Sequence, residues 1–429
     1  MATDRRTATP TELKSLLIDY CRRIEQYNEL IRAIVPGSYA REQILTRAEK
    51  LLEEWPDPVH RPPLFGLTLG VKDIIHVDGF STGCGTALPP HLFQGQQADC
   101  VSKLLHAGAI VMGKTETTEF AFLDPAATRN PHNINHTPGG SSSGSAAGVA
   151  KGMFDLALGT QTVGSVIRPA AYCGVIGFKP STGRIATSGV VPFSASVDQV
   201  GLFCTDIDLL QPVSAVLLDR WNPNDSAFQP QESVLGIPEG PYLDQASSNG
   251  LAQFYLTVDK LHSAGISIKR CRALADIEQI DEVHRRLISA EMARVHQAWM
   301  PKYGPSYRPL TRSLIESGLE IDNAELQSLR LEWKGNAVSV AAEMKTLGID
   351  YWVAPAATDH ADSGLQATGN PVMNLPWTHA GLPVVSLPTH LDDQHLPHGL
   401  QVVARPDADE QLLHACMVLA TILSYPNAG

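Results

Sequence analysis

The 429-residue chain holds no run of about 18 apolar residues, so no membrane span is expected. Its opening, Met1 to Arg6, leads into a charged segment with no apolar h-region, so no signal peptide is expected either. Cysteine is sparse. Seven are scattered through the chain, with no Cys-x-x-Cys pair. That disfavours a disulfide framework or a zinc site and leaves buried free thiols in a reducing cytoplasm as the expectation. Positive charge is also in deficit: 33 Lys and Arg against 45 Asp and Glu leave a net −12. Phosphate recognition draws on clustered basic residues, so nucleic acid is not expected as a partner, nor is an anionic membrane surface. What is present is an ordinary globular composition, 43% hydrophobic and 18% charged, able to bury a large core. By base rate alone a homodimer is plausible.

Length by itself would allow up to three units of about 150 residues. The hydrophobic pattern instead alternates short β-like runs with helical stretches, which predicts an α/β fold with a mixed sheet. Helical spacing covers 11–34, 38–55, 98–107, 248–264, 276–298, 323–346 and 408–424. Strand-like runs cover 67–75, 109–112, 233–237, 266–269, 351–353, 384–387 and 399–404. The stretch 223–230 is the most linker-like, though short. The chain is read as one unit, 1–429, with a helical segment at 10–56, a core at 61–210, a variable helical region at 211–346 and a final segment at 347–429.

Three local motifs are weighed and set aside. Gly108 to Thr115 matches the P-loop pattern, but its variable positions are Ala109-Ile110-Val111-Met112, themselves a buried strand. Gly140 to Gly144 matches the nucleophile elbow of a serine esterase, yet the polar, proline-bounded stretch 131–138 precedes it where a strand is needed. The pairs His132/His136 and His395/His398 have metal-like spacing, but both lie in proline-containing stretches with no convincing helix, which favours loop histidines.

The 34 glycines and 30 prolines make up about 15% of the chain, slightly above an average near 12%. The glycine excess is local: Gly139–Gly189 holds 11 glycines in 51 residues. Hydroxyls are packed among them, and apolar runs such as 146–150 and 154–158 exclude a flexible linker. This span resembles the hallmark region of the amidase signature family. The similarity continues through Gly177–Pro180, Gly183-Arg184 and Ser196–Gly201. It extends upstream to Gly66–Ile74 and downstream to Gly381–Pro388 and 399–403, so it covers roughly 10–425.

The resemblance implies a large α/β/α sandwich around a twisted mixed β-sheet, with 61–210 as catalytic core and 347–429 shaping the pocket. It implies an amidohydrolase with a Ser–cis-Ser–Lys triad formed by Ser165, Ser141 and Lys72. It further implies an oxyanion hole from the backbone N–H groups of Thr162, Val163, Gly164 and Ser165, with no metal or organic cofactor. The chemistry needs these residue types: a serine hydroxyl is a weak nucleophile, and a lysine serves as base only when burial keeps it neutral. Taken alone, Lys72 could be a strand-end lysine paired with Asp73, and Ser141 and Ser165 could be helix N-caps. Three positions depart from the family's pattern: Gln161 stands for an acid, Ile167 for a base and Val163 for a glycine, while Arg168 lies one position later than expected.

Asn374, Trp377 and His379 are candidates for substrate contact, and their polarity suggests a small polar acyl group or a urea-like substrate. A small-molecule amide is the expected partner. The alternatives are a glutaminase subunit of a multi-subunit amidotransferase and, more distantly, a serine esterase or a silent binding relative.

Overall fold

The computed structural model describes residues 5–224, 229 and 232–424, so most of the linker-like stretch 223–230 lies outside the described residues. Ten strands form one sheet. They are β1 (Thr68–Lys72), β2 (Ile110–Thr115), β3 (Leu156–Gln161), β4 (Ile176–Lys179) and β5 (Gln199–Cys204), then β6 (Val234–Glu239), β7 (Ser267–Arg272), β8 (Tyr351–Pro355), β9 (Val384–Leu391) and β10 (Pro397–Val403). Their spatial order is β2-β1-β3-β5-β4-β9-β10-β8-β6-β7. The two flanks, β2-β1-β3 and β8-β6-β7, are parallel, and the middle is antiparallel. The sheet is therefore mixed, and the strands of the 61–210 segment meet those of the 347–429 segment at the β4–β9 pair.

Strands β1, β2 and β3 are buried at every position, as expected of parallel strands covered on both faces. Helices Ser143–Ala150 and Ile167–Cys173 are likewise almost wholly buried. Their glycines and alanines permit this. A Cβ on Gly144 would lie 2.1 Å from the Ala33 carbonyl oxygen, so only glycine lets this helix start there.

Most helices read from the pattern are present within a few residues, including Ile277–His296 and Asn323–Leu347. A helix at Pro309–Leu319 was not anticipated; it opens on a proline at its first turn and buries Thr311, Ile315 and Gly318. The P-loop match is strand, not cradle, since Gly113, Lys114 and Thr115 all lie within β2. All seven cysteines are buried free thiols. Among the described residues no helix is long and apolar enough to cross a membrane.

Candidate active site

Strand β1 ends at Lys72, whose side chain is fully buried. Its Nζ donates to Ser141 Oγ at 2.7 Å and to Thr160 Oγ1 at 2.8 Å. Among the described residues no carboxylate touches it. Burial holds its pKa well below the ordinary lysine range, with Asp198 opposing at longer reach. The pairing with Asp73 is not found: Asp73 forms an ion pair with Lys114 at 2.9 Å instead.

Ser141 follows a cis peptide bond from Gly140. It caps no helix. The helix begins at Ser143, and the Ser143 hydroxyl donates back to the Gly139 carbonyl at 2.8 Å. Ser165 is not a cap either. The first N–H groups of the helix Ile167–Cys173 and its cap residue, those of Ile167 and Val166, donate to Gln161 Oε1 at 3.0 and 2.7 Å. The neutral amide at 161 thus satisfies two helix-terminal donors without an acid, and among the described residues the hydroxyl of Ser165 is not drawn into the cap.

Thr162, Val163, Gly164 and Ser165 form the turn between β3 and that helix and line a cavity of about 380 Å³. Among the described residues, no protein acceptor takes the backbone N–H of Val163, Gly164 or Ser165. Gly164 is packed tightly, as a Cβ there would lie 2.4 Å from Asn374 Oδ1. The outer wall is apolar, with Phe122 and Phe193 at 5.8 Å between ring centroids, joined by Ile288, Leu314 and Leu375.

Arg168, one position off the family's pattern, also lines this cavity and is 1% exposed. One nitrogen, Nη2, donates to the Gly140 carbonyl at 2.7 Å and to Thr368 Oγ1 at 3.3 Å. Its Nε and Nη1 are buried without a partner. Desolvation lowers its pKa to about 10, so it remains a cation at neutral pH. Asp198 sits behind the turn, accepting from Thr162 Oγ1 at 2.6 Å and from the N–H groups of Phe193 and Ser194. Burial raises its pKa to about 6.

Asn374, Trp377 and His379 are not among the lining residues; they stand behind the wall. Asn374 Nδ2 donates to the Ala356 carbonyl and to Gln401. Trp377 is fully buried and donates through Nε1 to the Tyr242 hydroxyl at 2.9 Å. His379 backs His284, with their Nδ1 atoms 3.2 Å apart. The short helix Leu375–His379 turns Leu375, not these polar residues, toward the cavity. His284, Thr160 and Asp198 were not singled out from sequence, and Arg168 was noted only for its shifted position. Arg168 and Asp198 lay within quoted motifs; His284, on the variable helical region, carried no signal. The spaced histidine pairs are spent locally, His132 on the Cys173 carbonyl and His398 on Asp392.

The amidase family model matches residues 15–300. The A subunit of glutamyl-tRNA(Gln) amidotransferase from Prochlorococcus marinus (strain MIT 9313) is 32% identical, over 82% of this chain and 82% of its own. A crystal structure of an amidase superposes with a TM-score of 0.84 at 26% identity, covering 97% of this chain and 96% of that one. Peptide amidase from Stenotrophomonas maltophilia shares the fold, with a TM-score of 0.80 at 23% identity, covering 96% and 94%. With sequence, fold and cavity in agreement, the chain belongs to the amidase signature family and is a hydrolase acting on carbon–nitrogen bonds.

Proposed function

We propose that the chain hydrolyses a small amide through Ser165, Ser141 and Lys72. One observation carries this reading: a fully buried lysine with no carboxylate in contact is hydrogen-bonded to Ser141, beside the cavity that Ser165 lines. As Ser165 Oγ attacks the carbonyl carbon, its proton passes to Ser141, and the proton of Ser141 passes to the neutral Lys72 amine. The N–H groups of the 162–165 turn hold the oxyanion, each such donor being worth about 3–4 kcal/mol. On collapse, the C–N bond breaks and the relay returns its proton to the leaving nitrogen. Water then enters, gives a proton to the same relay and bonds to the acyl carbon; the ester C–O bond breaks, Ser165 Oγ takes that proton back from the relay, and the acid leaves.

The substrate class is inferred from Arg168. It lines the cavity as a buried guanidinium with no carboxylate at ion-pair distance among the described residues, so an anionic substrate group would be drawn toward it. The substrate is accordingly an amide or urea derivative with a short anionic acyl part, its carboxylate on Arg168 and its scissile carbonyl at Ser165. This favours a free-standing amidase over the glutaminase role that the name of the Prochlorococcus relative suggests. Glutamine carries an α-ammonium, and no Asp or Glu lines the cavity to receive it.

The test is ammonia release from primary amides with and without a carboxylate, carboxylated ureas and glutamine, with Ser165→Ala as blank. Anionic amides are expected as the best substrates, and Arg168→Met should lose that preference. Full activity in Ser165→Ala would overturn the triad. Glutamine as best substrate, or as substrate only with added subunits, would overturn the free-standing reading.

A further inference from the structure

Two hydrogen-bond chains hold the Ser165 turn from behind, and each ends on a carbonyl of that turn. In the first, His284 Nε2 lies 3.0 Å from the Thr162 carbonyl oxygen. A carbonyl only accepts, so Nε2 carries the proton and Nδ1 of the neutral ring is bare. His379 Nδ1, 3.2 Å away, must then be the protonated nitrogen that donates to it. Both rings are fully buried, and desolvation pushes them down to about 4 and about 3, which keeps them neutral.

In the second chain, Gln161 Oε1 accepts the N–H groups of Val166 and Ile167, which fixes the orientation of the amide. Gln161 Nε2 therefore faces Thr378 Oγ1 and donates to it at 2.9 Å. The Thr378 hydroxyl in turn donates to the Val163 carbonyl at 2.6 Å, the shorter of its two contacts; the Asn374 carbonyl is at 3.2 Å.

Those two carbonyls are not arbitrary. The Thr162 carbonyl shares a peptide unit with the Val163 N–H, and the Val163 carbonyl shares one with the Gly164 N–H. A trans peptide unit points its N–H away from its C=O. A donor fixed on the carbonyl side therefore sets where the N–H aims. It also polarises the unit, so that the N–H becomes a stronger donor in its own right. Neither N–H has a protein acceptor among the described residues.

We propose that His379–His284 and Gln161–Thr378 are two positioning relays that aim and polarise the Val163 and Gly164 N–H groups at the oxyanion. The inference rests on Ser165 as nucleophile. It gives the departure at 161 a purpose: a carboxylate there could accept the two helix N–H groups but could not donate to Thr378.

The experiment compares His284→Phe and Thr378→Val with the donor-retaining His284→Gln and Thr378→Ser. Each is assayed for kcat and KM on the best anionic amide, for inhibition by a boronic acid analogue of that amide, and for binding of the product acid. The backbone 15N–1H shifts of Val163 and Gly164 are followed in the same proteins. Loss of either donor should lower kcat and boronate affinity together, by roughly 3- to 30-fold, and leave product binding within about twofold. The Val163 amide proton should move upfield in His284→Phe and the Gly164 proton in Thr378→Val, with the donor-retaining variants near the parent. Unchanged kcat and amide shifts in both donor-less variants would overturn the proposal. So would equal losses in product and boronate binding. Should a donor-less variant fail to fold, the outer member of its relay is replaced instead, His379→Phe for His284 and Gln161→Glu for Thr378, and unchanged kcat with an unchanged Val163 or Gly164 amide shift there would overturn the proposal. If Ser165→Ala keeps full activity, the nucleophile reading itself has failed, whatever the relay variants show.

Discussion

Two neighbouring parallel strands each deliver a fully buried lysine, and the two lysines lead opposite lives. Lys114 on β2 pairs with Asp73 at 2.9 Å and donates to Thr82 Oγ1 at 3.1 Å. Lys72 on β1, opposite Thr115 in the ladder, meets among the described residues only the hydroxyls of Ser141 and Thr160. Burial without a counter-ion disfavours the ammonium, whereas a carboxylate in contact favours it. The same residue type at the same depth is thus an ion-pair partner on one strand and, in the mechanism proposed above, a proton acceptor on the next. What separates them is the single residue Asp73, which turns to Lys114 and leaves Lys72 uncompensated.

The largest effect should come from removing the uncompensated lysine. Lys72→Met is expected to lower kcat/KM by roughly 10⁴- to 10⁶-fold, as losses within a catalytic triad do, while the protein stays folded by circular dichroism. A residual rate within tenfold of the parent would end the assignment of Lys72 as base. Breaking the other lysine's pair should spare catalysis and harm the fold. Asp73→Asn keeps an acceptor for the Gly83 N–H but strands a buried ammonium at Lys114. A loss of about 3–5 kcal/mol in urea unfolding is expected, with kcat per folded molecule little changed.

Much of this contrast was open to sequence, and the part that was not has a physical reason. Lys72, Ser141 and Ser165 stood in motifs whose order and spacing carried them, because glycine-rich turns tolerate few substitutes. The pairing of Lys72 with Asp73, the alternative weighed for that lysine, is not found. The strand ends at Lys72 and the chain turns at Asp73, so the two neighbours in sequence face different partners. The P-loop match at Lys114 hid a structural lysine for the same reason, since only the β1–β2 register brings Asp73 to it. Asn374, Trp377 and His379 lie on the segment expected to shape the pocket, yet they stand behind its wall. Which side of a five-residue helix faces a cavity is set by what packs behind it, here Tyr242 and His284. The helix Ile277–His296 advertised an apolar face but not that His284 would reach the Thr162 carbonyl.

The comparison can be sharpened by turning one lysine into the other. Thr160→Asp would place a carboxylate beside Lys72 and hold it as an ammonium. Lys72 must be unprotonated to act, so parent activity falls as pH drops through a pKa that burial keeps well below the ordinary lysine value. A carboxylate raises that pKa, so the acid limb of kcat/KM should move to higher pH. Activity at pH 7 should fall by about 10²-fold and recover in part on raising the pH. An unmoved limb would mean that the limb reports another group, with Asp198, at about 6, the first to examine.

The smallest effect should come from neutralising the paired lysine and its partner together. Asp73→Asn with Lys114→Met removes both charges and keeps the acceptor for the Gly83 N–H. A buried pair gains from attraction about what it loses to desolvation, so deleting both should cost little, within about 1–2 kcal/mol of the parent. The coupling energy of the cycle, the double variant's loss less the two single losses, should then be large and negative. The test also reaches across to β1. If Asp73 helped to set the charge state of Lys72, the double variant would shift the acid limb as Thr160→Asp does. If the two lysines are as separate as their contacts indicate, the pH profile of the double variant should overlie that of the parent.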